Sequence, residues 1–197
     1  MGRIKSEEKK NEYYSIIHSE TSRLSGIVNK VLNFSKMDAG KRIFHMEKSD
    51  LNEVAANVFN TYKFHLQNNN FEFYHKCDRN LPPVNLDKDA VSEAIINLID
   101  NAVKYSEGNK SVTLRTGEEK NYVFVEVEDR GIGIPEGDQK KIFEKFFRVS
   151  TGHVHNTKGT GLGLSLVKQT VDAHNRKINL SSTPGKGRRF RILLPLS

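Results

Sequence analysis

Apolar side chains between residues 7 and 37 return at spacings of three, four or seven. Tyr13, Ile17, Leu24, Val28 and Val31 form a stripe that Ile16, Ile27 and Phe34 widen. That period predicts one long helix without proline. A stripe so regular suits a partner helix, although a helix lying on its own domain's core would carry it too. Asp38-Ala39-Gly40-Lys41 ends the pattern, with Gly40 suited to the helix C-terminus. A domain boundary is placed there, dividing the chain into residues 1–40 and 41–197.

Downstream the period changes repeatedly. IFHMEKSD (43–50) reads as a strand-like segment, and Asp50 with Glu53 forms a capping-box-like start for a helix to about Gln67. FEFYHKC (71–77) alternates as a strand does, and Leu81-Pro82-Pro83 breaks the chain. Asp87 is placed to cap a second helix, DKDAVSEAIINLIDNAVKYS, whose apolar face is Val91, Ala94, Ile95, Leu98, Ile99 and Ala102. SVTLRTG and NYVFVEVED predict an antiparallel hairpin turning at Glu118 to Lys120. IFEKFF predicts a short helix, VSTGHVHNTK an irregular segment, and Leu162 to Ala173 a further helix. KINLSS and RRFRILLPL follow as strands joined by TPGKG. Paired strands with interposed helices predict an α+β fold, a largely antiparallel sheet covered by helices on one face.

The 197 residues suffice for one well-cored domain with an appendage. A hydrophobic fraction of 36% and a charged fraction of 28% describe an ordinary soluble protein. No apolar run approaches the length needed to cross a bilayer, and MGRIKSEEKKNEYY has no signal-peptide core. The single cysteine, Cys77, excludes an internal disulfide framework and any multi-cysteine metal site, so a cytoplasmic location is expected. The formal charge of +7 raises nucleic acid as a partner. The basic residues are scattered among acidic ones, however, with no long basic run, so nucleic acid is not expected. Anionic small molecules and acidic protein partners account for the sign equally well.

Three segments carry candidate chemistry. In NLIDNAVKY, Asn97, Asn101 and Lys104 share one helix face. Amide oxygens can ligate a hard cation and an ammonium can pair with phosphate, but a solvated helix face would look the same. In VFVEVEDRGIGIP, Asp129 ends an alternating strand ahead of Gly131, Gly133 and Pro135. A carboxylate there can accept from an exocyclic amine, and the glycines let backbone approach a flat ring; a plain hairpin turn remains the alternative. GTGLGLSLV (159–167) is preceded by polar HNTK, not by a strand, and lacks the dinucleotide-binding spacing. No P-loop pattern occurs anywhere. What remains is a glycine-rich turn feeding an apolar helix, whose first amides attract a polyphosphate.

In this order, the segments resemble the catalytic ATP-binding domain of sensor histidine kinases, in the superfamily that includes DNA gyrase and MutL. The resemblance covers residues 41 to 197 almost continuously. NLIDNAVKYS looks like the family's asparagine box, DRGIGIP its first glycine box, FEKFFR its phenylalanine box and GTGLGLSL its second glycine box. It implies a two-layer α/β sandwich of the Bergerat type, preceded by one long N-terminal helix. It further implies that Asn101 holds magnesium bridging the ATP phosphates with support from Asn97, that Lys104 touches phosphate and that Tyr105 flanks the nucleotide. Asp129 would bond the adenine amine, and Gly131, Gly133 and Ile134 would shape the base pocket. Residues from about Glu136 to Lys158 would form a mobile ATP lid anchored by Phe143, Phe146 and Arg148. Gly159, Thr160, Gly161, Leu162, Gly163 and Leu164 would close it over the phosphates.

ETSRLSGIVNKVLNFSKMDAG is similar to the second helix of the kinase dimerisation and phosphotransfer hairpin, two of which make a four-helix bundle. The resemblance thus implies a homodimeric parent, possible membrane anchorage of that parent, and a response regulator as acceptor of the phosphate. The chain departs from the family in three places. The first hairpin helix and its phosphoacceptor box are absent, and His18, followed by Ser-Glu-Thr, does not replace them. A chain of this kind is expected to bind ATP without phosphorylating itself. His174-Asn175-Arg176 stands where the family often has His-Gly-Gly, with Asn175 able to take the left-handed turn. Arg188 and Arg189 occupy a turn where the family often has a small hydroxyl residue. Asn97, by contrast, keeps the kinase asparagine box, at a position where gyrase-like relatives carry a glutamate that activates water. An amide cannot take that proton, so slow hydrolysis is expected.

Overall fold

A computed structural model describes residues 6–38, 42–106, 108–149 and 159–196. It divides into two compact units, Met1–Arg42 and Ile43–Ser197. The first is the helix α1, Glu7–Asp38, with Glu7 and Glu8 in its first turn, where acidic side chains complement the helix dipole. Tyr13, Ile17, Leu24, Val28 and Val31 are all exposed along it. Among the described residues, no helix is long and apolar enough to cross a membrane.

The second unit is built in two layers. Its elements are β1 (Glu47–Ser49), α2 (Leu51–Asn68), β2 (Glu72–Cys77), β3 (Val84–Leu86) and α3 (Lys88–Lys104). There follow β4 (Ser111–Glu119), β5 (Tyr122–Asp129), α4 (Gly163–Ala173), β6 (Lys177–Thr183) and β7 (Gly187–Pro195). The main sheet runs in the order β2-β4-β5-β7-β6 and is antiparallel except where β2 lies parallel to β4. Alternation sets its buried face: Val112 and Leu114 from β4, Val123, Val125 and Val127 from β5, and Phe190, Ile192 and Leu194 from β7. The helices add Leu51, Val54 and Val58 from α2, the whole predicted apolar face of α3, and Val167 and Val171 from α4. Each fully buried aliphatic side chain is worth about 1.5–3 kcal/mol, so this shared core joins the layers. The α+β sandwich expected from the pattern is the fold observed.

Several expectations need correction. The helix predicted over IFEKFF is a single 3-10 turn, Lys141–Phe143, preceded by another at Glu136–Asp138. Glu144 is already extended, and Phe146 turns to φ 62° while its N–H donates to Gly161 O, so the helix cannot propagate. The hairpin turn lies at Lys120-Asn121, one residue later than expected, because Glu119 and Tyr122 still pair. Asp50 caps α2 by accepting from Asn52 N at 2.8 Å. Val84–Leu86, which pairs with β1, follows the Pro-Pro break unannounced. Arg188 and Arg189 belong to β7, as the strand read over RRFRILLPL has them, and not to the turn in which the family comparison set them.

At one end of the helical layer, α3 and α4 are joined directly. Asp87, the N-cap of α3, accepts from Ala90 N through Oδ1 at 2.9 Å and from His45 N through Oδ2 at 2.8 Å. Its own N–H donates to Nε2 of the buried His174, the C-cap of α4, at 3.0 Å. With Nε2 accepting, the imidazole proton sits on Nδ1 and is donated to Thr170 O at 2.7 Å. Phe44 meets the same ring edge-on, with centroids 5.6 Å apart. The next residue, Asn175, takes the expected left-handed conformation, at φ 53°.

Candidate nucleotide site

The opposite end of the same two helices gathers the polar residues singled out above. Asn97 is buried on α3, its Nδ2 donating to Glu93 O at 3.0 Å. That bond satisfies the amide nitrogen within the helix and leaves Oδ1 toward the start of α4. A Cβ placed on Gly163 would stand 3.4 Å from Asn97 Oδ1 and 3.6 Å from Asn101 Nδ2. One turn further along α3, Lys104 Nζ lies so close to Gly159 that a Cβ there would be 2.3 Å from it. Asn97, Asn101, Lys104, Gly159 and Gly163 therefore share one locus.

The start of α4 adds to this locus. Its N-cap position falls on Leu162, which offers no side-chain oxygen to the first-turn amides. Those amides carry the positive end of the helix dipole. Leu162 itself is buried and Leu164 packs against the core, fixing the helix on its apolar side. Thr160 Oγ1 accepts from Leu162 N at 3.4 Å. Gly161 adopts φ 72° with its Cα side against the Phe146 backbone, where a Cβ would meet the carbonyl carbon at 2.8 Å.

A second cluster lies at the C-terminal end of α3. Asp129 ends β5, buried, with Oδ1 accepting from Gly131 N at 2.9 Å and Oδ2 from Arg188 Nε at 2.9 Å. Burial pushes its carboxyl above the usual carboxylate value, against the pull of the Arg188 guanidinium and the Gly131 N–H. The glycine turn is threaded between neighbours. Ile132 N donates to Tyr105 O at 3.1 Å, and Gly185 N donates to Ile132 O at 2.8 Å. A Cβ on Gly131 would stand 2.1 Å from Tyr105 O, and one on Gly133, at φ 71°, 2.2 Å from Thr183 O. Only glycine permits either approach. Ile134 is buried in the core and donates its N–H to Ser182 Oγ at 2.8 Å. The Tyr105 ring has Lys104 Nζ and the Arg188 guanidinium each 4.9 Å from its centroid.

The phenylalanine segment divides by burial. Phe143 packs into the core, edge-on to Phe190 at 6.3 Å, whereas Phe146 and Arg148 are exposed. Lys158, with residues 150–157 of the expected lid, lies outside the described residues. Among the described residues no cluster of three or more His, Cys, Asp or Glu is gathered for a metal. The hard oxygen donors at this locus are the amides of Asn97 and Asn101. Arg188 is the residue that sequence reasoning did not single out as the partner of Asp129. The period-2 run Phe190, Ile192, Leu194 points back to it, since the next inward position is 188.

This arrangement, an Asp-Gly turn and an amide-rich helix edge on a helix-covered sheet, matches a known group of proteins. Residues 86–197 match the family described as histidine kinase-, DNA gyrase B- and HSP90-like ATPase. The chain belongs to that family, and within it to the ATP-binding domains of sensor histidine kinases. It is 37% identical over 183 residues to the sensor protein RprX of Bacteroides fragilis, covering 92% of this chain and 35% of that protein. The histidine kinase ThkA, solved in complex with the response regulator protein TrrA, superposes with a TM-score of 0.75 at 26% identity, over 98% of this chain and 53% of that one. Full-length ShkA in complex with AMPPNP gives a TM-score of 0.81 at 22% identity, over 98% of this chain and 40% of that one, and shares the fold. The chain thus spans about a third to a half of these proteins.

Proposed function

We propose that this chain is the catalytic domain of a sensor histidine kinase, which delivers the γ-phosphate of ATP to a histidine on a dimerisation hairpin for relay to a response regulator. In this reading residues 1–40 supply the second hairpin helix, residues 41–197 the catalytic domain, and the parent protein is a homodimer. The exposed apolar stripe of α1 supports the hairpin assignment, and ThkA, found with its response regulator, supports the acceptor.

The observation that carries the proposal is the meeting of Asn97, Asn101 and Lys104 with the uncapped start of α4, beside the buried Asp129 turn. This donor set fits a magnesium nucleotide: amide oxygens suit a hard cation, while the ammonium and helix amides suit the phosphates. Magnesium, when bound, neutralises charge on the phosphates. Asn101 holds the ion, with Asn97 in support. Lys104 and the amides of Gly159 to Leu164 hold the phosphates. Tyr105 flanks the nucleotide, Asp129 meets the base, and Gly131, Gly133 and Ile134 shape its pocket. Phe143, Phe146 and Arg148 anchor the lid, and Lys158 at its end is among the nucleotide-binding residues.

Transfer forms a bond from an imidazole nitrogen to the γ-phosphorus as the bond to the bridging oxygen breaks, and ADP leaves. The domain contributes position and charge stabilisation, with no base for water, since Asn97 is an amide. The test is to mix the chain with labelled ATP, magnesium and a separately supplied phosphoacceptor hairpin. Label on the added histidine is expected. Binding without transfer would instead make the chain a regulatory nucleotide-binding module. Steady phosphate release that survives Asn97→Ala would make it a slow ATPase.

A further inference from the structure

Arg188 is inserted where the core pattern calls for an apolar residue. On β7 it precedes Phe190, Ile192 and Leu194 on the inward side, and the β5–β7 ladder sets it directly opposite Asp129. The two side chains are only 4% and 3% exposed, so this is a buried ion pair with almost no access to water. Its side chain touches Asp129 and Tyr105 of the proposed base pocket and the Asn101 carbonyl of α3. Nε donates to Asp129 Oδ2 at 2.9 Å, Nη2 donates to Asn101 O at 2.9 Å, and the guanidinium lies 4.9 Å from the Tyr105 ring centroid. The other carboxylate oxygen already accepts from Gly131 N at 2.9 Å.

We propose that Arg188 sets the base selectivity of the nucleotide pocket, by holding Asp129 itself and so making the 6-amino group of a purine nearly dispensable for binding. This rests on the nucleotide-binding reading above. The Arg188 guanidinium neutralises the carboxylate charge that would otherwise strengthen a bond from the adenine amine, so that amine gains little at an oxygen Arg188 already holds. The guanidinium carries five N–H donors, of which Nε and one on Nη2 are engaged, so a 6-oxo group finds a donor here. The pocket therefore accepts purine nucleoside triphosphates as a class.

The test compares the affinities of ATP, inosine triphosphate and purine riboside triphosphate, each with magnesium, for the wild-type chain, Arg188→Ser and Arg188→Lys. In the wild type the three are expected to bind within about threefold of one another. Arg188→Ser frees Asp129 and is expected to favour ATP over both analogues by about tenfold or more. Arg188→Lys retains a cation beside Asp129 without the planar fork and is expected to fall between. A wild-type preference for ATP of about tenfold or more overturns the proposal, as does an unchanged ratio in a folded Arg188→Ser protein. The wild-type ratio decides even if the serine variant does not fold, which a melting curve reports. No binding of any of the three to the wild type overturns the nucleotide reading itself, a result distinct from binding with strong discrimination.

Discussion

Gly163 begins α4 with its open side facing Asn97, close enough that a Cβ would stand 3.4 Å from Oδ1. That distance is an ordinary contact, so nothing in the fold requires glycine here, and alanine is the better helix former by about 1 kcal/mol. In the proposed site, the space between helix and amide is left for the phosphates. Gly163→Ala is expected to leave the melting temperature unchanged or raised while lowering Mg-ATP affinity about tenfold or more. Calorimetric titration beside a thermal melt reads both quantities, and equal affinity would remove Gly163 from the phosphate site.

Gly131 is the contrary case. A Cβ there would sit 2.1 Å from the Tyr105 carbonyl oxygen, which is backbone and cannot swing aside. Gly131→Ala is expected to destabilise the domain by about 1–3 kcal/mol, measured by denaturant unfolding. A variant as stable as the wild type would show that the Asp129 turn yields.

Asn101→Ala removes the amide assigned to magnesium without touching the core, since Asn101 is half-buried. Nucleotide affinity in magnesium is expected to fall about tenfold or more, and affinity measured in chelator to change little. Equal losses under both conditions would count against the metal assignment.

Asp129 supplies a prediction in pH. Burial raises its carboxyl above 3.8, so the native state binds that proton more tightly than the unfolded chain does. The contribution is fully present below 3.8 and is lost as pH rises through the native value. The melting temperature of the wild type minus that of Asp129→Asn is therefore expected to decline across that window and then level. A difference that grows with pH would mean that Arg188 outweighs burial. Arg188→Ser, which removes the lowering partner, should extend the decline to higher pH.

Much of this was legible in the sequence because the core obeys its periods. The apolar face read for α3 is the buried face, and the alternation of β5 is the alternation of the sheet. What escaped was whatever depends on distant partners. β3 is three residues long and exists because β1 pairs with it. The parallel neighbour of β2 cannot be read from β2 itself. IFEKFF has helical composition, yet the bond from Phe146 N to Gly161 O overrides it. At the site, the polar edge of α3 and the glycine turns stood out as departures from pattern. Arg188 did not, because charged residues beside a Pro-Gly turn are ordinary until the facing strand is known.

The bond between Asp87 and His174 joins the beginning of α3 to the end of α4, so these antiparallel helices are pinned at the end remote from Gly163 and Asn101. Over the 11 residues of α4, about 16 Å, a slight change in splay at the pin is magnified by the time it reaches the tips. Repacking Phe44 against His174 would thus reach the proposed phosphate site from its far end, with Asn101 and Gly163 left as they are.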